Sequence, residues 1–230
     1  MINQLGISTD LDVLKQILTL KDRNIVDIGC GDGGFARILA DLGARVTGIE
    51  PNPVQAEKNR LAEVTERVKL LEAGAQEMPL EENSQDALIF RFSLHHIPEA
   101  LYAAVFKEAA RVLKPGGQVY IIEPVAEGSS QHVMELFHDE TTVRAAAQAA
   151  MSRLLPAHFD HRSTNVYEVQ RHYVDFDAYF KRYGNLTYNH YAADSVSSDA
   201  VKQRFLSHQA ENGEVTLSQP VKSDLFILRT

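Results

Sequence analysis

The sequence has 230 residues, 44% of them hydrophobic, and a formal net charge of −8, which fits one α/β domain over residues 1–230 rather than two full domains. The acidic balance argues against a nucleic-acid partner, because proteins that bind phosphate backbones usually carry an excess of Lys and Arg. A single Cys30 excludes an internal disulfide and no N-terminal apolar run resembles a signal peptide or membrane span, so we expect a cytoplasmic protein without a membrane partner.

The first predicted elements are a short helix and a strand that enters a glycine-rich turn. Apolar residues at helical spacing predict a helix over Ser8 to Leu20. The run N-I-V-D-I-G-C-G-D-G-G from Asn24 to Gly34 predicts a buried strand followed by a tight turn. Gly29, Gly31 and Gly33 lack a Cβ, so a ligand can approach the backbone there. This loop is therefore a candidate ligand site.

A carboxylate follows at the spacing of an adenosine site. After a predicted helix from Gly34 to Asp41, a second strand is predicted over Arg45 to Glu50. In doubly wound sheets the acidic residue roughly 20 residues beyond the glycines accepts the ribose hydroxyls, and Glu50 offers two oxygens on one arm. Enzymes that use NAD share this carboxylate, so Glu50 indicates adenosine without naming the cofactor.

The remaining strands and helices follow from apolar runs and from turn residues. Further strands are predicted over Val68 to Glu72, Asp86 to Phe92, Gln118 to Glu123, Leu186 to Tyr191 and Asp224 to Arg229, and helices over Glu99 to Leu113, Phe176 to Tyr183 and Ser198 to Gln209. Helical patterning from residue 125 to 165 predicts an insertion after the fifth strand. Ligands bind outside the carboxyl ends of strands in such sheets, so we expect this insertion to form a lid.

Three motifs carry a family resemblance. The run D-I-G-C-G-D-G resembles the acidic-x-Gly-x-Gly-x-Gly signature of class I S-adenosylmethionine-dependent methyltransferases. The phrases S-L-H-H-I-P and R-V-L-K-P-G-G resemble the small-molecule branch similar to ubiquinone-biosynthesis methyltransferases. The resemblance covers about Asp22 to Pro124. It implies a doubly wound, seven-stranded, mostly parallel sheet of the Rossmann-like methyltransferase type, with an antiparallel last strand.

The same resemblance implies S-adenosyl-L-methionine as the cofactor. It places the cofactor-binding residues at Asp27, Gly29, Cys30, Gly31, Gly33, Glu50, Pro51, Ala75, Gln76 and Arg91. One position departs from the family pattern, because Gly74 stands where relatives carry the acidic residue that meets the adenine amino group. Backbone groups at Ala75 or the side chain of Gln76 are then expected to contact adenine.

Arg91 and His95 are the predicted catalytic residues. Arg91 ends an apolar strand, and an unpaired charge there is costly, so it needs an anionic partner or an outlet to the cleft. A structural ion pair with a carboxylate such as Glu123 is one interpretation, and contact with an anionic small-molecule substrate is the other. His95 is a candidate base or orienting group, whereas His96 is expected to pack or to cap the following turn.

Several histidines and carboxylates after residue 130 are candidate metal ligands. The candidates are His132, His138, Asp139, Glu140, His158 and His161. Their spacings match no standard zinc pattern, so no metal site is predicted from the sequence.

Together these features predict methyl transfer to a small molecule by in-line displacement, in which orientation contributes most of the catalysis. Two alternatives remain open from the sequence alone. A nicotinamide-dependent oxidoreductase would use the same loop and Glu50, and a non-catalytic S-adenosylmethionine-binding module would keep the loop without a substrate cavity. The sequence does not indicate an oligomeric state.

Overall fold

One eight-stranded sheet organises residues 2–61, 65–184 and 191–230, which are the residues that the computed structural model describes. Its strands are β1 (Ile2–Ile7), β2 (Asn24–Ile28), β3 (Arg45–Glu50), β4 (Val68–Glu72), β5 (Gln85–Arg91), β6 (Leu113–Pro124), β7 (Phe159–Tyr173) and β8 (Val215–Leu228). They lie in the order β1-β7-β8-β6-β5-β2-β3-β4. Strands β2 to β6 are parallel to their neighbours in that group, whereas β8 is antiparallel to both β6 and β7. The expected antiparallel last strand is confirmed.

Nine α-helices connect or flank these strands in the described part of the chain. They are α1 (Asp10–Ile17), α2 (Gly34–Asp41), α3 (Pro53–Leu61), α4 (Tyr102–Val112), α5 (Gly128–Met134), α6 (Thr141–Leu154), α7 (Phe176–Tyr183), α8 (Ala193–Val196) and α9 (Asp199–Leu206). None of these helices has the length and apolar character needed to cross a membrane. Helices α2 and α7 have the predicted bounds, and the Thr9 side chain caps α1 by accepting the Asp12 N–H.

The prediction of seven strands is wrong for the described residues, because β1 and β7 were missed. Strand β7 buries the polar residues Thr164 and Asn165, which interrupts the apolar alternation that marks a strand. Strand β1 is an edge strand whose Ile2 and Ile7 are largely exposed, so it has no clear inward face. The strand predicted over Leu186 to Tyr191 lies, except for Tyr191, outside the described residues.

Several predicted bounds also differ from the structure. Strand β8 begins at Val215 instead of Asp224, because it pairs with β7 along its length up to Tyr173. Strand β6 begins at Leu113, five residues before its expected start at Gln118. Residues 125–165 contain α5 and α6, but the segment from Phe159 onward belongs to β7. The helical part of the predicted lid is therefore shorter than expected.

The two faces of the sheet carry separate apolar cores. The first contains Val26, Leu88 and Phe106 and packs α4 and α6 against the sheet. The second contains Ile25, Ile89 and Leu39 and packs α1 and α2 against the opposite face. Neighbouring strand residues thus face opposite cores, as the two-residue period of a strand requires. The parallel strands are buried on both faces.

A third cluster of buried side chains lies apart from these two. It joins α5, α7, α8, α9 and the start of β8, and its members are Val133, Tyr173, Tyr179, Val196, Val201, Phe205, Val215 and Leu217. The aromatic rings meet mostly at steep angles, with centroids 5.0 to 5.8 Å apart where Phe205 meets Tyr173, Phe176 and Tyr179. The helices after β7 are therefore held by their own core.

The order of the strands opens a crevice between β2 and β5. From β2 the chain proceeds outward to β3 and β4, and it then returns to β5 and β6 on the other side of β2. Loops at the carboxyl ends of β2 and β5 consequently diverge, and ligands of open α/β sheets bind at this switch point. The glycine loop follows β2, and the His95 turn follows β5.

Gly48 in β3 allows the glycine loop to sit close to the sheet. A Cβ at this position would lie 2.6 Å from Leu70 Cδ2 and 2.8 Å from Cys30 Sγ, both closer than real contacts allow. We expect Gly48→Ala to lower the free energy of unfolding by about 1–3 kcal/mol in denaturant titrations, as over-packing generally does. The exposed substitution Lys69→Ala on β4 is the control and should stay within about 0.5 kcal/mol of the wild type. Equal stability of all three proteins would contradict this account.

Candidate functional site

A cavity of about 850 Å³ occupies the switch point at the carboxyl ends of β2, β3, β5 and β6. One end is lined by the glycine loop, Asp27 and Glu50, and the other by His95, His138 and Glu140. Helices α5 and α6 contribute Met134 and Arg144 to the second end, so the region expected to be a lid borders the cavity. The two ends differ in chemistry.

The glycine loop has the backbone conformation that its sequence predicts. Gly29, Gly31 and Gly33 have positive φ angles of 71°, 54° and 74°, a region that L-residues with a Cβ rarely enter. A Cβ on Gly29 would lie 2.6 Å from the Cβ of Ser93. Gly33 is the N-cap of α2 and is not part of the wall that the described residues form around the cavity. Gly29 and Gly31 therefore shape the wall, and Gly33 shapes the turn.

Glu50 ties the end of β3 to this loop. Its Oε2 accepts the Gly31 N–H at 3.0 Å, and its Oε1 accepts the Asn52 N–H at 2.8 Å. Burial raises the pKa of the Glu50 carboxyl, although the two N–H groups act in the opposite direction. Each oxygen keeps a further lone pair, so the carboxylate can still accept from a diol in the cavity. Pro51 continues the same wall.

Asp27 is a buried carboxylate without a full set of partners. Its side chain lies at the end of β2 and is 2% exposed, and its Oδ2 atom has no hydrogen-bond partner. Burial raises the pKa of Asp27 to about 7, against the opposing effect of Arg91. Such an orphaned acceptor next to a cavity is suited to a cationic or hydrogen-bond-donating group of a ligand.

Cys30, Ala75 and Gln76 also line the glycine-loop end of the cavity. Burial and the nearby charges of Asp27 and Glu50 raise the pKa of the Cys30 thiol, which makes it a poor nucleophile. A Cβ on Gly74 would lie 2.4 Å from the carboxamide of Gln76. The Gln76 side chain therefore lies directly over the position where relatives were expected to carry an acidic residue.

Arg91 is held by an ion pair, but with a different partner from the one named from the sequence. Its Nη2 and Nε donate to Asp10 Oδ2 at 2.7 and 3.0 Å, and Asp10 Oδ1 accepts from the Tyr167 hydroxyl. The guanidinium also lies 4.8 Å from the ring centroid of Phe35. Glu123 pairs with His95 instead. The error arose because Asp10 precedes Arg91 by 81 residues on α1, and nothing local to Arg91 points to it.

His95 lies between two buried carboxylates. Its Nδ1 contacts Glu123 Oε2, and its Nε2 lies 3.3 Å from Glu140 Oε1. Glu123 also accepts the Leu94 N–H, which fixes the turn after β5. Burial alone would lower the pKa of His95, but Glu123 and Glu140 outweigh burial and raise the pKa to about 9. His95 is thus strongly held and poorly suited to accept a further proton.

Two more imidazoles approach Glu140. His96 Nδ1 lies 3.6 Å and His138 Nε2 lies 2.8 Å from Glu140 Oε1, while Glu140 Oε2 accepts from Arg144 at 2.6 Å. Burial would raise the pKa of Glu140, but the contacts with His138, His95 and Arg144 hold it well below its usual range. Burial and His95 lower the pKa of His96 to about 4.

The sequence reasoning missed most of this second cluster. His138 and Glu140 were candidates only together with His132, Asp139, His158 and His161, and His96 was expected to pack or to cap the following turn. The structure brings these residues to His95 because the loop between α5 and α6 folds over the end of β5. The only signal in the sequence was the closeness of two short polar runs, H-H at 95–96 and H-D-E at 138–140, to predicted element ends.

Comparison with known proteins agrees with the glycine-loop end of the cavity. Residues 26–121 match the sequence profile of a methyltransferase domain. The chain is 35% identical over 124 residues to a sterol 4-C-methyltransferase of Caenorhabditis elegans, with 50% of this chain and 36% of the relative covered. It is also 35% identical over 116 residues to a demethylmenaquinone methyltransferase of Staphylococcus aureus, covering 48% of this chain and 47% of the relative. The chain thus spans less than half the length of these two curated relatives.

The fold is similar to solved structures over nearly the whole chain. The YcgJ protein of Bacillus subtilis superposes with a TM-score of 0.61 at 20% identity, covering 95% of this chain and 97% of that one. The family match includes the glycine loop, the turn after β5 and the run R-V-L-K-P-G-G, which carried the resemblance in the sequence, and it also includes Glu50. Residues 26–121 are thus similar to a methyltransferase domain, and nearly the whole chain shares the fold of the Bacillus subtilis protein.

Proposed function

We propose that this chain transfers the methyl group of S-adenosylmethionine to a small molecule bound at the histidine end of the cavity. The observation that carries the proposal is one continuous cavity of about 850 Å³ that joins two chemically distinct ends. Asp27, Glu50 and the glycine loop line one end, and the polar cluster around Glu140 lines the other. A cofactor and an acceptor can therefore meet inside a single enclosure.

The residues at the first end fit the cofactor. Glu50 presents two carboxylate oxygens for the ribose hydroxyls, and the positive φ angles of Gly29 and Gly31 let the ligand approach the backbone. The orphaned Oδ2 of Asp27 is suited to the ammonium group of the methionine part. Cys30, Pro51, Ala75, Gln76 and Arg91 complete the proposed set, and Gly33 supports it by shaping the turn before α2. When bound, the cofactor supplies a methyl group on a positively charged sulfur.

The protein's contribution to the reaction is positioning. Methyl transfer discharges the sulfonium, so little acid catalysis is needed at the leaving group. Alignment of the acceptor with the methyl group in a water-poor cavity can contribute roughly 7–11 kcal/mol in favourable cases. The helices α5 and α6 within residues 125–165 border the acceptor end, and we propose that they exclude water there as a lid on a single catalytic domain.

An anionic acceptor is favoured by the charges at that end. Arg144, Arg171 and Arg182 line the cavity beside the histidines. Guanidinium groups bind carboxylates and phosphates through paired hydrogen bonds, so they select for such groups on a ligand. Arg91, which lines the wall near the switch point, and His95 are proposed to orient the acceptor.

Cofactor binding can be tested by thermal unfolding. We expect S-adenosylhomocysteine, the demethylated product, to stabilise the protein by about 2.7 kcal/mol at 100 times its dissociation constant, and NAD to have no effect. Glu50→Gln should weaken binding by roughly tenfold, because a carboxamide offers a single acceptor oxygen. Glu57→Gln, an exposed change on α3, is the matched control. Stabilisation by NAD alone would overturn the cofactor assignment.

Asp27 should link the stability and the affinity to pH in opposite ways. The pKa of Asp27 is about 7 in the folded protein, which is above its value in the unfolded chain. Ionising Asp27 in the ligand-free protein therefore lowers the free energy of unfolding, and this penalty grows as the pH rises from the unfolded pKa to the folded pKa. Asp27→Asn removes the penalty. The variant should therefore gain about 1 kcal/mol or more in stability relative to the wild type between about pH 5 and pH 8, measured by denaturant titration.

Ligand affinity should show the converse. Ionised Asp27 attracts the ammonium group, so the wild type should bind S-adenosylhomocysteine more tightly as the pH rises from about 6 to 7.5, by calorimetry. Asp27→Asn should bind more weakly and with little pH dependence over that range. An unchanged affinity in the variant would place the ammonium group elsewhere.

Arg91 can be separated into its structural and functional parts. Arg91→Met leaves Asp10 buried without its cation, so we expect a loss of about 2–4 kcal/mol in stability. In the double variant Asp10→Asn/Arg91→Met, stability should recover in part. Methyl transfer to an identified acceptor should remain at least tenfold below the wild type in both variants, or about 1.4 kcal/mol in the barrier. Full activity in the double variant would leave Arg91 a structural role only.

A further inference from the structure

The acceptor end of the cavity holds a compact set of metal-ligand side chains. We call His95, His96 and Glu140 the metal-ligand cluster. His95 and His96 lie on the 3₁₀ turn Leu94–His96 after β5, and Glu140 immediately precedes α6. One ligand atom from each of the three lies within 4.8 Å of the other two. All three residues line the cavity.

The separations suit a single small ion. Glu140 Oε1 lies 3.3 Å from His95 Nε2 and 3.6 Å from His96 Nδ1. Two atoms that each bind a tetrahedral ion at about 2.1 Å are about 3.4 Å apart. The two nitrogens can be up to 4.8 Å apart, and His96, whose side chain is 43% exposed, has room to rotate inward. Only a small adjustment is needed to form the site.

The contacts around the cluster orient its ligand atoms toward one point. Glu123 accepts the Leu94 N–H and contacts His95 Nδ1, so Nδ1 keeps its proton, and an ion at Nε2 displaces the second proton that His95 directs toward Glu140. A carboxylate on the second nitrogen is the usual support of a metal-bound histidine. Arg144 binds Glu140 Oε2 and leaves Oε1 facing the two imidazoles. Both supporting groups thus hold the ligands without occupying the site.

A further buried nitrogen next to the cluster, His138 Nε2, contacts Glu140 but makes no well-aligned hydrogen bond. His138 Nε2 lies 2.8 Å from Glu140 Oε1, but the two atoms do not meet the geometry of a hydrogen bond, and Nε2 is buried with no other partner. A molecule bound at the open position of an ion would offer such a partner. This observation is independent of the separations within the cluster.

We propose that His95 Nε2, His96 Nδ1 and Glu140 Oε1 bind one divalent transition-metal ion, with an open position that faces the cavity. Two histidines and one carboxylate suit zinc and neighbouring first-row ions, and sites with three protein ligands retain a position for water or substrate. The open position takes an anionic oxygen donor, and His138 contacts that donor. The identity of this oxygen donor rests on the proposed function, because we take the donor to be part of the methyl acceptor.

The test uses cobalt as a spectroscopic probe. The full chain is treated with a chelator, dialysed and titrated with Co²⁺, and bound metal is also measured by elemental analysis after Zn²⁺ loading. We expect one ion per chain and visible absorption bands of a low-coordinate cobalt site. His96→Ala should bind at least tenfold more weakly. Because His96 is exposed, this variant should fold normally, and its affinity for S-adenosylhomocysteine should be unchanged.

A second variant and a control complete the experiment. Glu140→Gln should also lose the cobalt bands, with its folding checked by circular dichroism. His132→Ala is the control, because His132 and His208 form an exposed pair 3.3 Å apart that could bind metal adventitiously. Binding should be unaffected in this control. Loss of the ion in His132→Ala, retention in His96→Ala or an absence of binding in the wild type would each overturn the proposal.

The outcome is separable from that of the proposed function. A protein that binds cobalt but not S-adenosylhomocysteine would retain the metal site and lose the methyltransferase assignment. A protein that binds the product but no ion would keep its proposed function, and the contacts of His95 with Glu123 and Glu140 would then be a hydrogen-bonded network alone.

Discussion

The strand order at the centre of the sheet is the constraint on which the site depends. Because β3 and β5 lie on opposite sides of β2, the loops after β2 and β5 separate and leave a space between them. The hydrogen bond from Gly31 to Glu50 closes one side of that space, and the contact between His95 and Glu123 closes the other. Each contact joins the end of one strand to the loop of its neighbour. The strand order therefore creates the cavity, and particular side chains only close its sides.

The buried carboxylates at the two ends of the cavity differ in their partners and in the direction of their pKa shifts. At the glycine-loop end, Asp27 is buried with one oxygen that has no hydrogen-bond partner, and its pKa is elevated. A ligand group that pairs with this oxygen offsets the free-energy cost of burying it. At the histidine end, Glu140 is surrounded by three imidazoles and Arg144, and the pKa of the Glu140 carboxyl is depressed. The first arrangement favours an incoming cation. The second is already organised in the folded chain and positions nitrogen atoms toward the cavity.

The features that the sequence predicted are those encoded by contiguous residues. The glycine loop, the strand that ends at Glu50 and the bounds of α2 follow from local patterns, because backbone conformation and strand period depend on near neighbours. Such local encoding also explains why the resemblance to methyltransferases is visible in the sequence. The methyltransferase domain match covers the same stretch, residues 26–121.

The features that were missed depend on residues far apart in the chain. Asp10 reaches Arg91 across 81 residues, and Glu140 reaches His95 across 45, so no local pattern could show either pair. Strand β7 escaped prediction because its buried Thr164 and Asn165 interrupt the apolar alternation. For Arg91, Glu140 and Thr164 a tertiary contact satisfies a polar group that would otherwise be costly to bury. Sequence analysis could state that Arg91 needs a partner, but not which residue supplies it.

The separate aromatic cluster formed by α5, α7, α8, α9 and β8 has an evolutionary consequence. It anchors α5 at the histidine end of the cavity without sharing buried side chains with the two sheet cores, whereas α6 packs in the first of those cores. Substitutions in this cluster can reshape the histidine end of the cavity while the glycine-loop end keeps its packing, because distant substitutions tend to act independently. The packing around α5 is thereby decoupled from the packing around the glycine loop, so the two ends of the cavity can change shape separately as the sequence diverges.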